Sequence, residues 1–179
     1  CADERFAEAS FSAFAPSETQ IYSNHSFGLA ARMVADVSGM SFSDYLTSQI
    51  LRPAGMKSTF THLDRIPRKG VEIAKPYKRD GSRAPKLHFE PAGGGGFWSS
   101  VADLLLYGEM HVPRSYDRKA ILRNATLAEN HAVRQDLPHG YYANGWGVLP
   151  FANNRRTLLS NGAIEGAAST LLVFPEART

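Results

Sequence analysis

The sequence of 179 residues contains a single cysteine, at its first position. One cysteine cannot form a disulfide within the chain, and it gives no information about the redox compartment. No apolar run is long enough to span a bilayer, so we predict no transmembrane segment. The net charge is +3, and the basic residues are dispersed without an interleaved stripe of aromatic residues. This pattern argues against a nucleic-acid partner.

Several motifs with a defined chemistry are also missing. The histidines show neither H-E-x-x-H nor a paired spacing suited to zinc, so we expect no metal ion, and His131 and His139 are expected at the surface. The run Gly93–Gly96 lacks the frame of a phosphate-binding loop and favours a flexible loop or a pocket wall. The absence of G-x-S-x-G argues against an α/β-hydrolase.

What the sequence does contain begins with a helix, predicted from His25 to Val37. Asn24 is a good N-cap residue, and Gly39 supplies a left-handed stop. Apolar residues recur at helical spacing and are expected to form one face: Phe27, Ala30, Ala31, Val34 and Val37.

Further helices are predicted on either side of a long irregular segment. One follows Ser41, which has capping-box spacing to Asp44, and it ends at Pro53. Residues 53–95 form an irregular excursion rich in Pro, Gly, Lys and Arg. In the helix that follows Ser41, Phe42, Leu46 and Ile50 share one face. Two later helices are predicted, one from Ser99 or Ser100 to about Met110 and one from Asp117 to Asn130.

After His139 the pattern changes to strands. These are predicted at Trp146–Leu149, Arg156–Ser160 and Ala167–Phe174, with Asn153-Asn154 as a hairpin turn. Helices followed by antiparallel strands indicate the α+β class. We divide the chain into a mainly helical region over residues 1–139, which carries the excursion, and an incomplete sheet over residues 140–179.

Five short segments occur in a fixed order over nearly the whole chain. They are Tyr22-Ser23-Asn24, residues 51–59, residues 91–94 leading to residues 99–104, residues 145–148, and residues 160–162 followed by Gly166. Together they resemble the serine β-lactamase-like superfamily, which includes class C β-lactamases, D-Ala-D-Ala carboxypeptidases, D-aminopeptidases and related esterases. The resemblance implies part of the β-lactamase/transpeptidase-like fold, incomplete at both ends.

The resemblance also implies roles for individual residues. The family uses a nucleophilic Ser-x-x-Lys, a Tyr-x-Asn and a strand with Lys-Thr-Gly or His-x-Gly. Tyr22 would then relay protons, and Asn24 would hold a carbonyl or amide of the substrate. The remaining implied substrate-binding residues are Ser160, Asn161 and Gly162 on the strand beside the pocket, Ala163 as an oxyanion N–H donor, and Gly96 and Phe97 in an overhanging loop.

Two departures from the family pattern limit this interpretation. No lysine has a serine three residues before it, so the chain contains no Ser-x-x-Lys, and we expect the nucleophile upstream of Cys1. Ser160 stands where the family has a lysine or histidine, and a hydroxyl supplies no positive charge. This departure favours an esterase or an amidase with a neutral substrate face, or an inactive relative.

The sequence therefore supports one main hypothesis and two alternatives. The chain is predicted to be part of a serine hydrolase that acts on an amide, ester or lactam through an acyl-enzyme, without a cofactor. By itself it is expected to be inactive. Its partner would be a small or peptide-like substrate, and the resemblance suggests a periplasmic or secreted location. The alternatives are a non-catalytic penicillin-binding or peptidoglycan-binding relative and a standalone helical interaction domain.

Overall fold

The computed structural model describes residues 15, 18, 21–85, 93–113, 120–137, 140–151 and 155–177. Within these residues, four α-helices precede a five-stranded antiparallel sheet, which confirms the predicted α+β class. The helices are α1 (Asn24–Ser38), α2 (Phe42–Leu46), α3 (Val101–Met110) and α4 (Asn124–Asn130). The strands are β1 (Gln135–Leu137), β2 (Gly140–Tyr142), β3 (Gly147–Phe151), β4 (Arg155–Ile164) and β5 (Ala167–Val173).

Helix α1 begins one residue earlier than the sequence predicts. Its N-cap is Ser23, which has extended backbone angles and whose Oγ accepts the N–H of Ser26 at 3.1 Å. The predicted N-cap, Asn24, is instead the first helical residue. The predicted stop is confirmed, because Gly39 has φ of 68° and donates its N–H to the carbonyl of Ala35.

The predicted apolar face of α1 is largely wrong. Ala31 is buried as expected, and its buried neighbour is Gly28, which has no side chain. Val37 is 90% exposed and Phe27 is 46% exposed. The helix therefore packs through its smallest residues, because other parts of the chain approach its backbone closely there.

Helix α2 starts as predicted and changes its hydrogen-bond pattern before it ends. The Oγ of Ser41 accepts the N–H of Asp44 at 3.1 Å and donates to the Asp44 carboxylate at 2.6 Å. The segment Thr47–Leu51 continues as a π-helical turn, closed by the N–H of Arg52 on the carbonyl of Thr47. Pro53 then follows, as predicted for the end of the helix.

The excursion over residues 53–95 is irregular where the structure describes it. It contains a 3₁₀ turn at Leu63–Arg65 and two isolated antiparallel bridges, Phe60 with Trp98 and Tyr77 with Arg83. Residues 86–92 lie outside the described residues.

A buried carboxylate connects the excursion to α3. Ser100 caps α3 as predicted, because its Oγ accepts the N–H of Asp103 at 3.2 Å. Asp103 is 5% exposed, and its Oδ2 accepts the N–H of Ser58 and the hydroxyl of Thr59, both at 2.7 Å. These bonds hold the residues 51–59 segment against the first turn of α3.

Helix α4 is shorter than the predicted segment from Asp117 to Asn130. It begins at Asn124, because Arg123 has the extended angles φ −75° and ψ 151°. Residues 120–123 are not helical, and residues 114–119 lie outside the described residues. The weak apolar periodicity of this segment extended the prediction too far.

The sheet has the simplest antiparallel order, β1-β2-β3-β4-β5. Strand β3 pairs with β4 from Gly147 with Leu159 to Phe151 with Arg155. Strand β4 is longer than predicted and pairs with β5 over its last seven residues, from Leu158 to Ile164. The sequence did not predict β1 and β2, which are only three residues each, and the predicted Asn153-Asn154 turn lies outside the described residues.

One apolar cluster joins the helical layer to the sheet. A Cβ on Gly108 of α3 would lie 3.4 Å from Cγ2 of Val173, so the helix axis comes close to β5. Tyr107, Val112 and Leu171 pack against the fully buried residues of the cluster. Those residues are Ala143, Trp146, Val148, Leu158 and Val173.

The turn between β4 and β5 docks on the excursion. Gly166 has φ of 79°, and a Cβ there would lie 2.8 Å from the Tyr77 nitrogen and 2.8 Å from Cβ of Ala84. Glu165 pairs with Lys78 at 3.3 Å, and the guanidinium of Arg83 lies over the Tyr77 ring at 5.6 Å. Only glycine fits this close approach.

Candidate functional site

The site is built from the Tyr-x-Asn segment at the start of α1. The Tyr22 hydroxyl donates a hydrogen bond of 3.0 Å to Oδ1 of Asn24. Ser23 between them caps the helix, so the backbone turns there and the side chains on either side can meet. Tyr22 is 86% exposed and Asn24 is half-buried, so the phenol is accessible from solvent.

The glycine loop lies across the first two turns of α1. A Cβ on Gly94 would lie 2.7 Å from the carbonyl oxygen of Asn24, and one on Gly93 would lie 2.7 Å from the carbonyl oxygen of Phe27. The predicted Gly96 and Phe97 follow in the same loop, where Phe97 is 45% exposed. The contact with the Tyr-x-Asn segment is thus made by Gly94, while Gly93 lies against Phe27 and Ala31 in the next turn.

A second tyrosine, which the sequence did not indicate, lies within electrostatic reach of Tyr22. Tyr142 is half-buried in β2, and its pKa is raised first by burial and then by the nearby Tyr22 phenol. The turn after β2 also reaches α1, since a Cβ on Gly145 would lie 4.0 Å from Cε1 of Phe27. The corner between β2 and β3 therefore forms one wall of the site.

The predicted strand segment Ser160–Ala163 lies in β4. Tyr142 pairs with Gly147, and Gly147 pairs with Leu159, the residue before Ser160. Two strand spacings of about 4.8 Å separate Tyr142 from Leu159, so Tyr142 and the predicted segment Ser160–Ala163 lie toward the same end of the sheet.

The segment Ser160–Ala163 also lies beyond the ladder between β3 and β4, which ends at Leu159. Its residues are exposed and pair with β5 on the other side, Ser160 with Leu171 and Ala163 with Ala168. Backbone groups on the β3 side of a strand in this position can pair with an added extended chain.

The Tyr22–Asn24 pair offers hydrogen-bonding groups that can bind and orient a carbonyl. A phenol has an ordinary pKa near 10 and needs nearby cations before it serves as a base. Tyr142, whose pKa the Tyr22 phenol helps to raise, is another phenol, and Ser160 carries no charge. The amide of Asn24 offers donors to a carbonyl while its oxygen accepts from Tyr22.

Metal binding and membrane insertion receive no support from the described residues. In that part of the chain, no three His, Cys, Asp or Glu side chains lie together as a metal ion would require. None of its helices is both long enough and apolar enough to cross a membrane.

Comparison with known proteins identifies the family. The β-lactamase family model matches residues 4–179, so the chain belongs to the β-lactamase family. This confirms the resemblance based on the five sequence segments. A search of curated protein sequences gave no match.

Solved structures share the fold at low sequence identity. An octameric penicillin-binding protein homologue from Pyrococcus abyssi has a TM-score of 0.80 and 23% identity, with 92% of this chain and 38% of that chain covered. A β-lactamase/D-alanine carboxypeptidase from Pseudomonas syringae has a TM-score of 0.79 and 15% identity, with 97% of this chain and 56% of that chain covered. A D-stereospecific amidohydrolase from Streptomyces sp. has a TM-score of 0.73 and 21% identity, with 92% of this chain and 49% of that chain covered. The chain therefore spans between 38% and 56% of the length of these structures.

The sequence did not reveal two features, Tyr142 and a buried pair of histidines. Tyr142 could have been noticed as part of the Tyr141-Tyr142 pair just before Gly145-Trp146-Gly147, but no pattern places it beside Tyr22. His131 was expected at the surface, and this prediction is wrong: it is 6% exposed and its Nε2 lies 3.0 Å from Nδ1 of His111. The second predicted surface histidine, His139, lies outside the described residues.

Proposed function

We propose that the chain is part of a serine hydrolase that cleaves an amide, ester or lactam through an acyl-enzyme. The observation that carries the proposal is the Tyr22–Asn24 hydrogen bond at 3.0 Å, placed beside the Gly93–Gly94 loop in a β-lactamase-family fold. Tyr22 would exchange protons between the nucleophile and the leaving group, and Asn24 would orient the substrate's carbonyl.

The nucleophile of this enzyme would be supplied by a Ser-x-x-Lys outside the present sequence. The lysine would also provide the cation that Tyr22 needs in order to act as a base. The N–H of Ala163 would serve as one oxyanion donor, and such a donor is typically worth about 100- to 1,000-fold in rate. Without a nucleophile, the chain by itself would leave its substrate uncleaved.

The substrate would be small or peptide-like and would lie along the unpaired side of Ser160–Ala163. Ser160 offers a hydroxyl in place of a cation, so it favours a neutral ester or amide over a substrate whose carboxylate must be bound there. The proteins with the same fold include a carboxypeptidase and an amidohydrolase, which supports cleavage of amide-like bonds. We propose no organic or metal cofactor for this chemistry.

Ser160 also favours a second candidate, a non-catalytic relative that binds peptidoglycan-like ligands. It would retain the Tyr22–Asn24 pair and the exposed strand segment Ser160–Ala163 and lack the acylation step. Two of the structures with this fold are named for penicillin binding or carboxypeptidase activity, so both candidates fit the same architecture.

Covalent labelling of the protein encoded by the complete reading frame separates the candidates. That reading frame should encode Ser-x-x-Lys upstream of residue 1, and a fluorescent phosphonate or penicillin should attach to its serine. Replacing that serine by alanine should abolish the label. A reading frame without the motif, or a folded protein that both probes leave unlabelled, would support the non-catalytic relative.

A further inference from the structure

Four aromatic rings meet where the helical layer contacts the sheet. Tyr107 lies in the last turns of α3, His111 and His131 follow α3 and α4, and Trp146 precedes β3. The rings of Tyr107 and Trp146 stack with centroids 5.9 Å apart. His111 contacts both of them edge-on, at 5.0 Å and 4.7 Å. We call these four residues the aromatic joint.

The two histidines of the aromatic joint hydrogen-bond to each other away from solvent. Nδ1 of His111 and Nε2 of His131 are 3.0 Å apart, and the residues are 3% and 6% exposed. The bond needs one N–H and one lone pair, so it can form only while at least one ring is neutral. If both rings were imidazolium, two N–H donors would face each other with no acceptor between them, and two positive charges would lie together in a buried place.

The groups around the pair also disfavour protonation. Burial, and then His131, lower the pKa of His111 to about 4. Burial, and then the cationic Arg156 of β4, lower the pKa of His131. Arg156 is itself paired with Glu176 at 3.5 Å, and burial raises the pKa of Tyr107, which therefore stays neutral. At neutral pH the pair is uncharged.

We propose that the aromatic joint is an acid-sensitive device: uptake of protons by His111 and His131 breaks the bond between the ends of α3 and α4 and loosens the contact of His111 with Trp146. The corner that Trp146 anchors runs from Tyr142, near Tyr22, to Gly145, near Phe27 of α1. Opening the joint removes the support of that corner and changes the wall of the site. The inference rests on the buried contacts and holds whether or not the chain is part of a hydrolase.

Trp146 can report the opening directly. The chain has two tryptophans, so Trp98→Phe leaves Trp146 as the single fluorophore. Its fluorescence and near-ultraviolet circular dichroism would be followed from pH 8 to pH 3.5, beside side-chain ¹⁵N NMR of the histidines. The Trp146 signal should change together with the titration of His111 and His131, below the ordinary histidine pKa of 6.5.

Two variants in the same background complete the test. The double variant His111→Gln and His131→Gln keeps neutral hydrogen-bonding groups and should lose the Trp146 transition. His62→Gln, outside the aromatic joint, should leave the transition unchanged. The proposal is overturned if both histidines titrate near pH 6.5, if Trp146 is unaffected while they titrate, or if the transition persists in the double variant. The titration of the Trp98→Phe protein, with both histidines present, tests the proposal even if the double variant does not fold.

Discussion

The Tyr22 phenol and the Asn24 amide form a 3.0 Å hydrogen bond across Ser23, the residue that caps α1. Because Ser23 satisfies an N–H of the first helical turn, the Asn24 side chain can face Tyr22. The motif therefore combines a structural role for its middle residue with a pair of exposed polar groups. The Gly94 backbone lies directly against Asn24 and leaves no space for a side chain.

Replacing Tyr22 by phenylalanine should test the proton relay. In the protein encoded by the complete reading frame, Tyr22→Phe should lower kcat roughly 100- to 10,000-fold, the usual contribution of a positioned proton donor or acceptor. KM should change little, because Asn24 still contacts the substrate. The measurement is steady-state hydrolysis of an activated ester, with Tyr45→Phe on α2 as the control. A kcat equal to that of the parent would exclude Tyr22 from the mechanism.

Asp103 should contribute more to stability than an exposed carboxylate. It is 5% exposed and accepts bonds from Ser58 and Thr59, so Asp103→Ala should destabilise the fold by roughly 2–4 kcal/mol, because both donors lose their charged partner. Asp36→Ala is the matched control. Asp36 forms a 2.7 Å pair with Arg32 on the surface of α1, so its loss should cost about 0.5 kcal/mol or less. Urea denaturation would give both values, and equal losses would contradict the structural role of Asp103.

Gly166 and Gly81 offer a comparison of steric crowding at nearly equal backbone angles. Their φ angles are 79° and 83°, but a Cβ on Gly166 would meet Tyr77 and Ala84 at under 3 Å, whereas one on Gly81 would meet nothing within 4 Å. Gly81→Ala should cost roughly 1 kcal/mol from backbone strain. Gly166→Ala should cost about 1–3 kcal/mol more, because the β4–β5 turn must move away from the excursion. Thermal unfolding of the two variants checks the difference, and similar melting temperatures would show that the turn is not docked there.

The buried histidines should make the chain less stable in mild acid. A folded-state pKa of about 4 for His111 lies below the ordinary 6.5, so the unfolded chain binds more protons between these values. The stabilisation is complete above pH 6.5 and is lost as the pH falls toward 4. It amounts to about 3 kcal/mol for His111. Denaturation midpoints measured from pH 7 to pH 4 should fall accordingly, and should fall less in His111→Gln; a flat profile would contradict the burial of a neutral pair.

Local signals in the sequence predicted the helices where short-range chemistry decides them. Ser41 with Asp44, Ser100 with Asp103 and Gly39 each act within one turn of the chain, and all three are confirmed. The apolar face of α1 failed because burial depends on what packs against a helix. The backbone of Gly93 occupies that place, so Gly28 and Ala31 are buried while Val37 is exposed.

The sequence by itself determined the family, the α+β order and the Tyr22-Ser23-Asn24 motif, since these depend on residue types at short spacings. Only the tertiary structure showed that Tyr142 lies near Tyr22 and that His131 forms a buried pair with His111. The members of those pairs lie 120 and 20 residues apart in the sequence. Contacts across such separations depend on how the sheet and helices pack, because no local hydrogen bond or periodicity links their members.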